Sequence, residues 1–155
     1  MDSEQATNEK ILQTLHHTQI ILNVMADYKF YILLCAAFNP KLLTSYEANF
    51  KKYAAVIRRL VDADDQGASH LFQAIVQYFI KRFPDQKPHA SELCMILYNE
   101  SVIEDQFFIN WHAKKLKTDR DSQMYDHKAE KAMRSLLNEF VEWLQSAEYD
   151  EEAGK

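Results

Sequence analysis

The chain has 155 residues, 47% hydrophobic and 26% charged, enough for one independently folding domain of ordinary globular composition. Two glycines and three prolines are too few for the tight turns of a sheet-rich fold or for phosphate-cradling loops, and no apolar run reaches the roughly 18 residues of a membrane span. The net charge of −5 arises late in the chain, because residues 1–91 carry ten Lys/Arg against nine Asp/Glu and residues 92–155 carry eight against fourteen.

The apolar spacing predicts helices throughout. A first helix spans about Asn8 to Met25, with Ile11, Leu15, Thr18 and Leu22 on one face. A second runs from about Asp27 to Phe38 and must stop before Asn39-Pro40, because the residue ahead of a proline is pushed out of the α region. A short third element covers Lys41 to Ala48. Phe50, Tyr53, Ala54, Ile57, Leu60 and Val61 then define a helix ending near Val61. Residues 62–67 form a loop in which Gly67 is available for a positive φ. Leu71 to Phe83 carries a wide apolar stripe, and Pro84 to Pro88 is a connector.

Ser91 to Tyr98 is helical, the phase breaks at Asn99-Glu100-Ser101, and Ile103, Phe107, Phe108 and Trp111 open a new face. Lys114 to Asp121 is a charged loop. The last helix runs from about Asp126 to Ser146, with Met133, Leu136, Leu137, Phe140, Val141 and Leu144 inward. Residues 1–147 thus form one helical domain, and the acidic tail 148–155 is expected to fray. Seven or eight short helices joined by short loops favour an all-α solenoid of antiparallel pairs over a bundle of four long ones.

Chemistry is sparse. Phosphate-loop, dinucleotide, zinc-protease and paired-cysteine motifs are all missing. His16 and His17 are neighbours and point about 100° apart on a helix, so they cannot share a metal. Cys35 and Cys94 sit in apolar helical patterns, as reduced structural thiols do. The acids of the tail have no apolar shelter to shift their pKa values, which disfavours acid–base catalysis. No metal, cofactor or catalytic residue is expected. Met1–Lys10 is polar and unlike a signal peptide. A cytosolic or nuclear place with no membrane contact is expected, and the acidic C-terminal part speaks against nucleic acid as a direct partner.

Two charged features remain. Lys51, Lys52, Arg58 and Arg59 recur at seven-residue spacing on the face opposite Phe50, Tyr53 and Ile57, a solvated face or a second docking surface. Aromatics and acids alternate in two blocks, 97–111 and 140–152, and residues 139–152 hold six acids and no Lys/Arg. Trp111 and Trp143 fit core packing when taken singly. Together with the acids they suit a lysine-rich ligand, whose ammonium heads carboxylates attract and whose methylene stems aromatic faces accept.

The two blocks resemble the aromatic/acidic boxes that close the two-tryptophan domain of eukaryotic translation initiation factors. The residues in question are Leu97-Tyr98, Val102-Ile103, Phe107-Phe108 and Trp111, then Phe140-Val141-Glu142-Trp143-Leu144 and Ala147-Glu148 followed by acids. Phe38-Asn39-Pro40-Lys41 and Asn49-Phe50-Lys51-Lys52-Tyr53 look like the corresponding part of the factor 5 branch. The resemblance covers roughly residues 28–152, strong in the boxes and loose in the first two helices.

It implies an atypical HEAT stack. It implies an adaptor that assembles the preinitiation complex by binding lysine-rich segments of the β subunit of initiation factor 2 and a subunit of initiation factor 3, with a basic face for other initiation factors. Carried over, the acidic site is Tyr98, Glu100, Glu104, Asp105, Trp111, Glu142, Trp143, Glu148, Tyr149, Asp150, Glu151 and Glu152, and the basic site is Lys51, Lys52, Arg58 and Arg59. Asn99, Ser101 and Gln106 stand where the family often has further acids, which weakens the first box. The family's GTPase-activating region belongs to an N-terminal domain that this sequence does not contain, so no activity is expected. The same domain closes the catalytic subunit of the nucleotide-exchange factor for initiation factor 2, where it is exchange-active, and is shared by regulatory mimics. The match at residues 38–53 favours factor 5.

Overall fold

The computed structural model describes residues 7–15, 26–114 and 126–153, without the side chains of 26, 27 and 147–153. Helix α1 covers 7–15, α2 Ala26–Ala37, α3 Tyr46–Asp62 and α4 Gly67–Gln77. A π turn (Tyr78–Arg82) and a 3-10 helix (Pro84–His89) lead into α5 (Ala90–Asn99), α6 (Asp105–His112), α7 (His127–Leu136) and α8 (Asn138–Ala153). No strand occurs among the described residues.

The predicted all-α, HEAT-like stack is the observed architecture. Helix α4 packs on α2 and α3 and also on α7, while α6 packs on α8. Tyr46, at the start of α3, stacks on His89, just before α5, with centroids 5.4 Å apart. Near the other end, Arg58 bonds to Glu100, just past α5, at 3.1 Å. Alternate helices α3 and α5 therefore run parallel, as a stack of antiparallel neighbours requires. Phe30, Phe38, Phe50, Phe72, Tyr78 and Phe79 fill the core with almost no exposure.

Three expectations need correction. Lys41 to Ala48 is not a helix of its own. Asn39 Oδ1 accepts the Lys41 N–H (3.0 Å) and Asn39 O the Leu42 N–H (2.9 Å), closing a turn, and Ser45 Oγ accepts the Ala48 N–H (3.0 Å) to cap α3. The last helix is two helices. Leu137 adopts φ −100° and ψ 4°, and its N–H is shared between Met133 O and Arg134 O. The break lets α7 pack on α4 and the π turn while α8 packs on α6. The backbone of α8 is helical to Ala153.

Gly67 does not have a positive φ. Its value is close approach: a Cβ there would lie 2.2 Å from the Val61 carbonyl oxygen. Backbone, not a flexible side chain, would have to yield, so Gly67→Ala is expected to destabilise the domain by about 3 kcal/mol, the upper range for overpacking. Urea denaturation reads this directly.

Charged side chains pin the ends of elements. Asp126 Oδ1 caps α7 by accepting the Ala129 N–H (3.0 Å), and Asp126 Oδ2 meets Lys81 Nζ of the π turn at 2.5 Å. The Lys81 ammonium, then the Ala129 N–H, hold this carboxyl below the usual carboxylate range. Its contribution is present above that range and is lost as pH falls through the depressed value. Burial raises both cysteine thiols; Cys94 is buried and Cys35 half-buried, and both are free. His16, His17, Thr18 and Leu22 lie outside the described residues, as does most of the predicted charged loop.

Candidate docking surface

The two tryptophans have opposite environments. Trp111 is 6% exposed. Its ring meets Phe72 edge-on at 4.5 Å, and the Arg134 guanidinium lies 4.8 Å from its centroid. It fixes α6 against α4 and α7 and offers no face to a partner, so its place among the contact residues is corrected to the core. The spacing held this signal, because Phe108 lies one turn earlier on the same stripe and is fully buried.

Trp143 is 46% exposed. Its ring stands edge-on to Tyr98 of α5, centroids 6.0 Å apart and planes at 83°. This contact joins the two predicted blocks across 45 residues of sequence. On α8, Phe140, Val141 and Leu144 point inward while Glu139 and Glu142 are exposed. Glu139 stands one helical turn before Trp143, so a carboxylate flanks the exposed ring. A half-exposed indole beside carboxylates can take an ammonium group on its face and the methylene stem against its edge.

The other predicted acids are distributed. Ser101, at φ 59°, turns the chain after α5, and the Val102 N–H reaches Leu97 O at 2.9 Å and the Ser101 N–H Tyr98 O at 3.1 Å, a Schellman cap that needs a left-handed residue. Glu104 is exposed just before α6, and Asp105 lies in its first turn, where a negative charge also suits the helix dipole. The side chains of Glu148, Tyr149, Asp150, Glu151 and Glu152 lie outside the described residues.

Sequence reasoning missed that the acidic and basic sites touch. Arg58 Nη2 donates to Glu100 Oε2 (3.1 Å) and to Glu100 O (3.0 Å), so one predicted basic residue occupies one predicted acidic residue. Along α3, Lys51 pairs with Glu47 at 3.3 Å, Arg59 pairs with Glu9, and Lys52 Nζ lies 5.4 Å from the Tyr53 ring. The basic face is therefore largely compensated by acids of its own chain. Partners separated by 42 residues leave no periodic signature in sequence. Among the described residues no three His, Cys, Asp or Glu side chains converge as metal ligands, and no helix is long and apolar enough to cross a membrane.

Comparison with known proteins agrees with this geometry. The W2 family, described as eIF4-gamma/eIF5/eIF2-epsilon, matches residues 68–154. Eukaryotic translation initiation factor 5 of Zea mays is 31% identical over 103 residues, which are 66% of this chain and 20% of that protein. The chain thus spans a fifth of that curated relative's length. Among solved structures, the C-terminal domain of translation initiation factor 5 at low pH superposes with a TM-score of 0.61 at 19% identity, covering 73% of this chain and 66% of that one, which establishes a shared fold. The matched region holds α4 to α8, with both tryptophans and the Tyr98–Trp143 contact, and so the chain belongs to the W2 family of translation initiation factors.

Proposed function

We propose that the chain is an adaptor of translation initiation, acting in the cytoplasm, whose α5–α8 surface recruits lysine-rich segments of the β subunit of initiation factor 2 and of an initiation factor 3 subunit. The reading rests above all on the half-exposed Trp143 ring, held edge-on by Tyr98, with Glu139 one helical turn before it and Glu142 exposed on the same helix. Carboxylates draw the lysines in and the ring sorts them. The basic face of α3 meets other initiation factors, with Lys52 its one described cation not engaged by a carboxylate.

A lysine-block peptide titrated by fluorescence anisotropy tests the reading. Binding should weaken steeply as salt rises from about 0.1 M to about 1 M, where the screening length falls from about 10 to about 3 Å. Glu142→Gln should weaken it further. Salt-insensitive binding, or no binding, overturns the reading.

The Arg58–Glu100 pair adds a prediction of opposite sign. Both side chains are more than 40% exposed, so the pair is worth less than about 1 kcal/mol. Arg58→Ala frees the Glu100 carboxylate, and the lysine peptide is expected to bind about two- to fivefold tighter. Weaker binding would mean that Glu100 lies outside the surface.

We assign no catalytic activity to the chain. The family description also names eIF2-epsilon, which keeps nucleotide exchange as a second reading. GDP release from initiation factor 2 accelerated by this chain alone would favour exchange over the adaptor.

A further inference from the structure

A cleft of about 400 Å³ opens between the α2–α3 turn and the π turn, lined by Asn39, Pro40 and Lys41 on one wall and Arg82 to Gln86 on the other. Its walls are tied by two buried tyrosines. Tyr78 donates to Phe38 O at 2.5 Å, Tyr46 donates to Gln86 Oε1 at 2.8 Å, and the two hydroxyls lie 3.2 Å apart. Burial raises the pKa of both, so they stay protonated donors. Prolines on both walls stiffen it further. A cleft held open in this way binds with little reordering.

Its chemistry is specific. The π turn, closed by the Phe83 N–H on Tyr78 O at 2.8 Å, sets Arg82 on the rim, and the guanidinium lies 4.5 Å from the Phe83 centroid. Among the described residues no carboxylate forms an ion pair with Lys41 or Arg82. Asp85 is the one acid in the lining. Leu42 follows Lys41 in sequence and is 75% exposed, one of two large exposed apolar side chains among the described residues, the other being Trp143. The cleft thus presents two cations that no described carboxylate neutralises, with an exposed leucine next in sequence to one of them.

We propose that this cleft docks an acidic peptide segment of a partner protein, whose carboxylates pair with Lys41 and Arg82 while one bulky apolar side chain packs on Leu42. The cleft sits near the start of α3, twelve residues, or about 18 Å, from the Arg58–Glu100 seam near its end. None of its lining residues belongs to the Tyr98–Trp143 contact or to the four cations of the α3 face. The two surfaces select opposite chemistries, a lysine-rich segment at one and an acidic segment at the other.

The test uses the intact chain and a fluorescein-labelled Asp/Gly dodecapeptide with one central leucine, read by anisotropy. Leu42→Asp should weaken binding at least about tenfold, as loss of a buried leucine contact would. Lys41→Ala with Arg82→Ala should weaken it about fivefold and flatten the salt dependence. Glu142→Gln and Lys51→Ala with Lys52→Ala should leave it unchanged. Circular dichroism of Leu42→Asp, at an exposed position, should match the parent. No binding below about 1 mM peptide overturns the proposal. So does binding lost in the Lys51/Lys52 variant but kept in Leu42→Asp, or self-association of the chain that Leu42→Asp abolishes. A lysine peptide that still binds in Leu42→Asp keeps this outcome distinct from that of the α5–α8 surface.

Discussion

Trp111→Ala is expected to destabilise the domain by about 3–5 kcal/mol, the range for emptying a buried aromatic site. The side chain fills the junction of α4, α6 and α7, touching Phe72 at 4.5 Å and Arg134 at 4.8 Å from the ring centre. Phe72 cannot readily fill the space, because it is already held by Phe107 and Phe108 at 5.6 and 5.8 Å. Against a total stability of about 5–15 kcal/mol, such a loss unfolds a large share of molecules on mild heating. Trp143→Ala should behave oppositely. At 46% exposure it should cost less than about 1 kcal/mol of stability. It should nevertheless weaken lysine-peptide binding about five- to thirtyfold, the equivalent of about 1–2 kcal/mol of cation–π contact. Urea denaturation and peptide titration on the same two variants separate the roles.

Glu130→Ala should cost about 3 kcal/mol or more. Glu130 is 4% exposed, and its carboxylate lies 3.7 Å from Arg134, whose buried Nε has no hydrogen-bond partner among the described residues. Removing the acid leaves a guanidinium with its charge uncompensated between α7 and the Trp111 ring. The penalty is for the orphaned charge rather than the worth of the pair. Replacing both, Glu130→Leu with Arg134→Met, should therefore recover most of the loss, since Met keeps the packing on the ring. Denaturation midpoints of the single and double variants check this. A double variant as unstable as the single would place the cost in the packing of Glu130 itself.

The helices were legible because each buries a stripe at three- and four-residue spacing: Phe50, Ile57 and Leu60 on α3, and Leu71, Phe72, Ile75 and Phe79 along α4 and the π turn. The break at Leu137 was not, because Met133, Leu137, Phe140, Val141 and Leu144 keep one unbroken apolar phase through it. The phase says which residues go inward and is silent about which neighbour receives them. The need for Gly67 was legible, but its reason was not, since a clash with Val61 O depends on how two helices approach.

For the candidate docking surface, sequence supplied the residue types and withheld their assignment. Trp111 and Trp143 both follow a buried aromatic by three residues. What separates them is that α6 is covered by α4 and α8, whereas Trp143 sits at the edge of α8 beside Tyr98. Arg58 and Glu100 read as members of opposite sites, and only the parallel course of α3 and α5 joins them.

Trp143 is expected to receive the partner while Trp111 holds the core. The chain contains two tryptophans, so a nitrogen–proton correlation spectrum carries two indole N–H signals. Titration with a lysine-block peptide should shift the Trp143 indole signal progressively and leave that of Trp111 in place. A shift confined to backbone signals of α3, with the Trp143 indole unmoved, would place the lysine-rich partner on α3 instead.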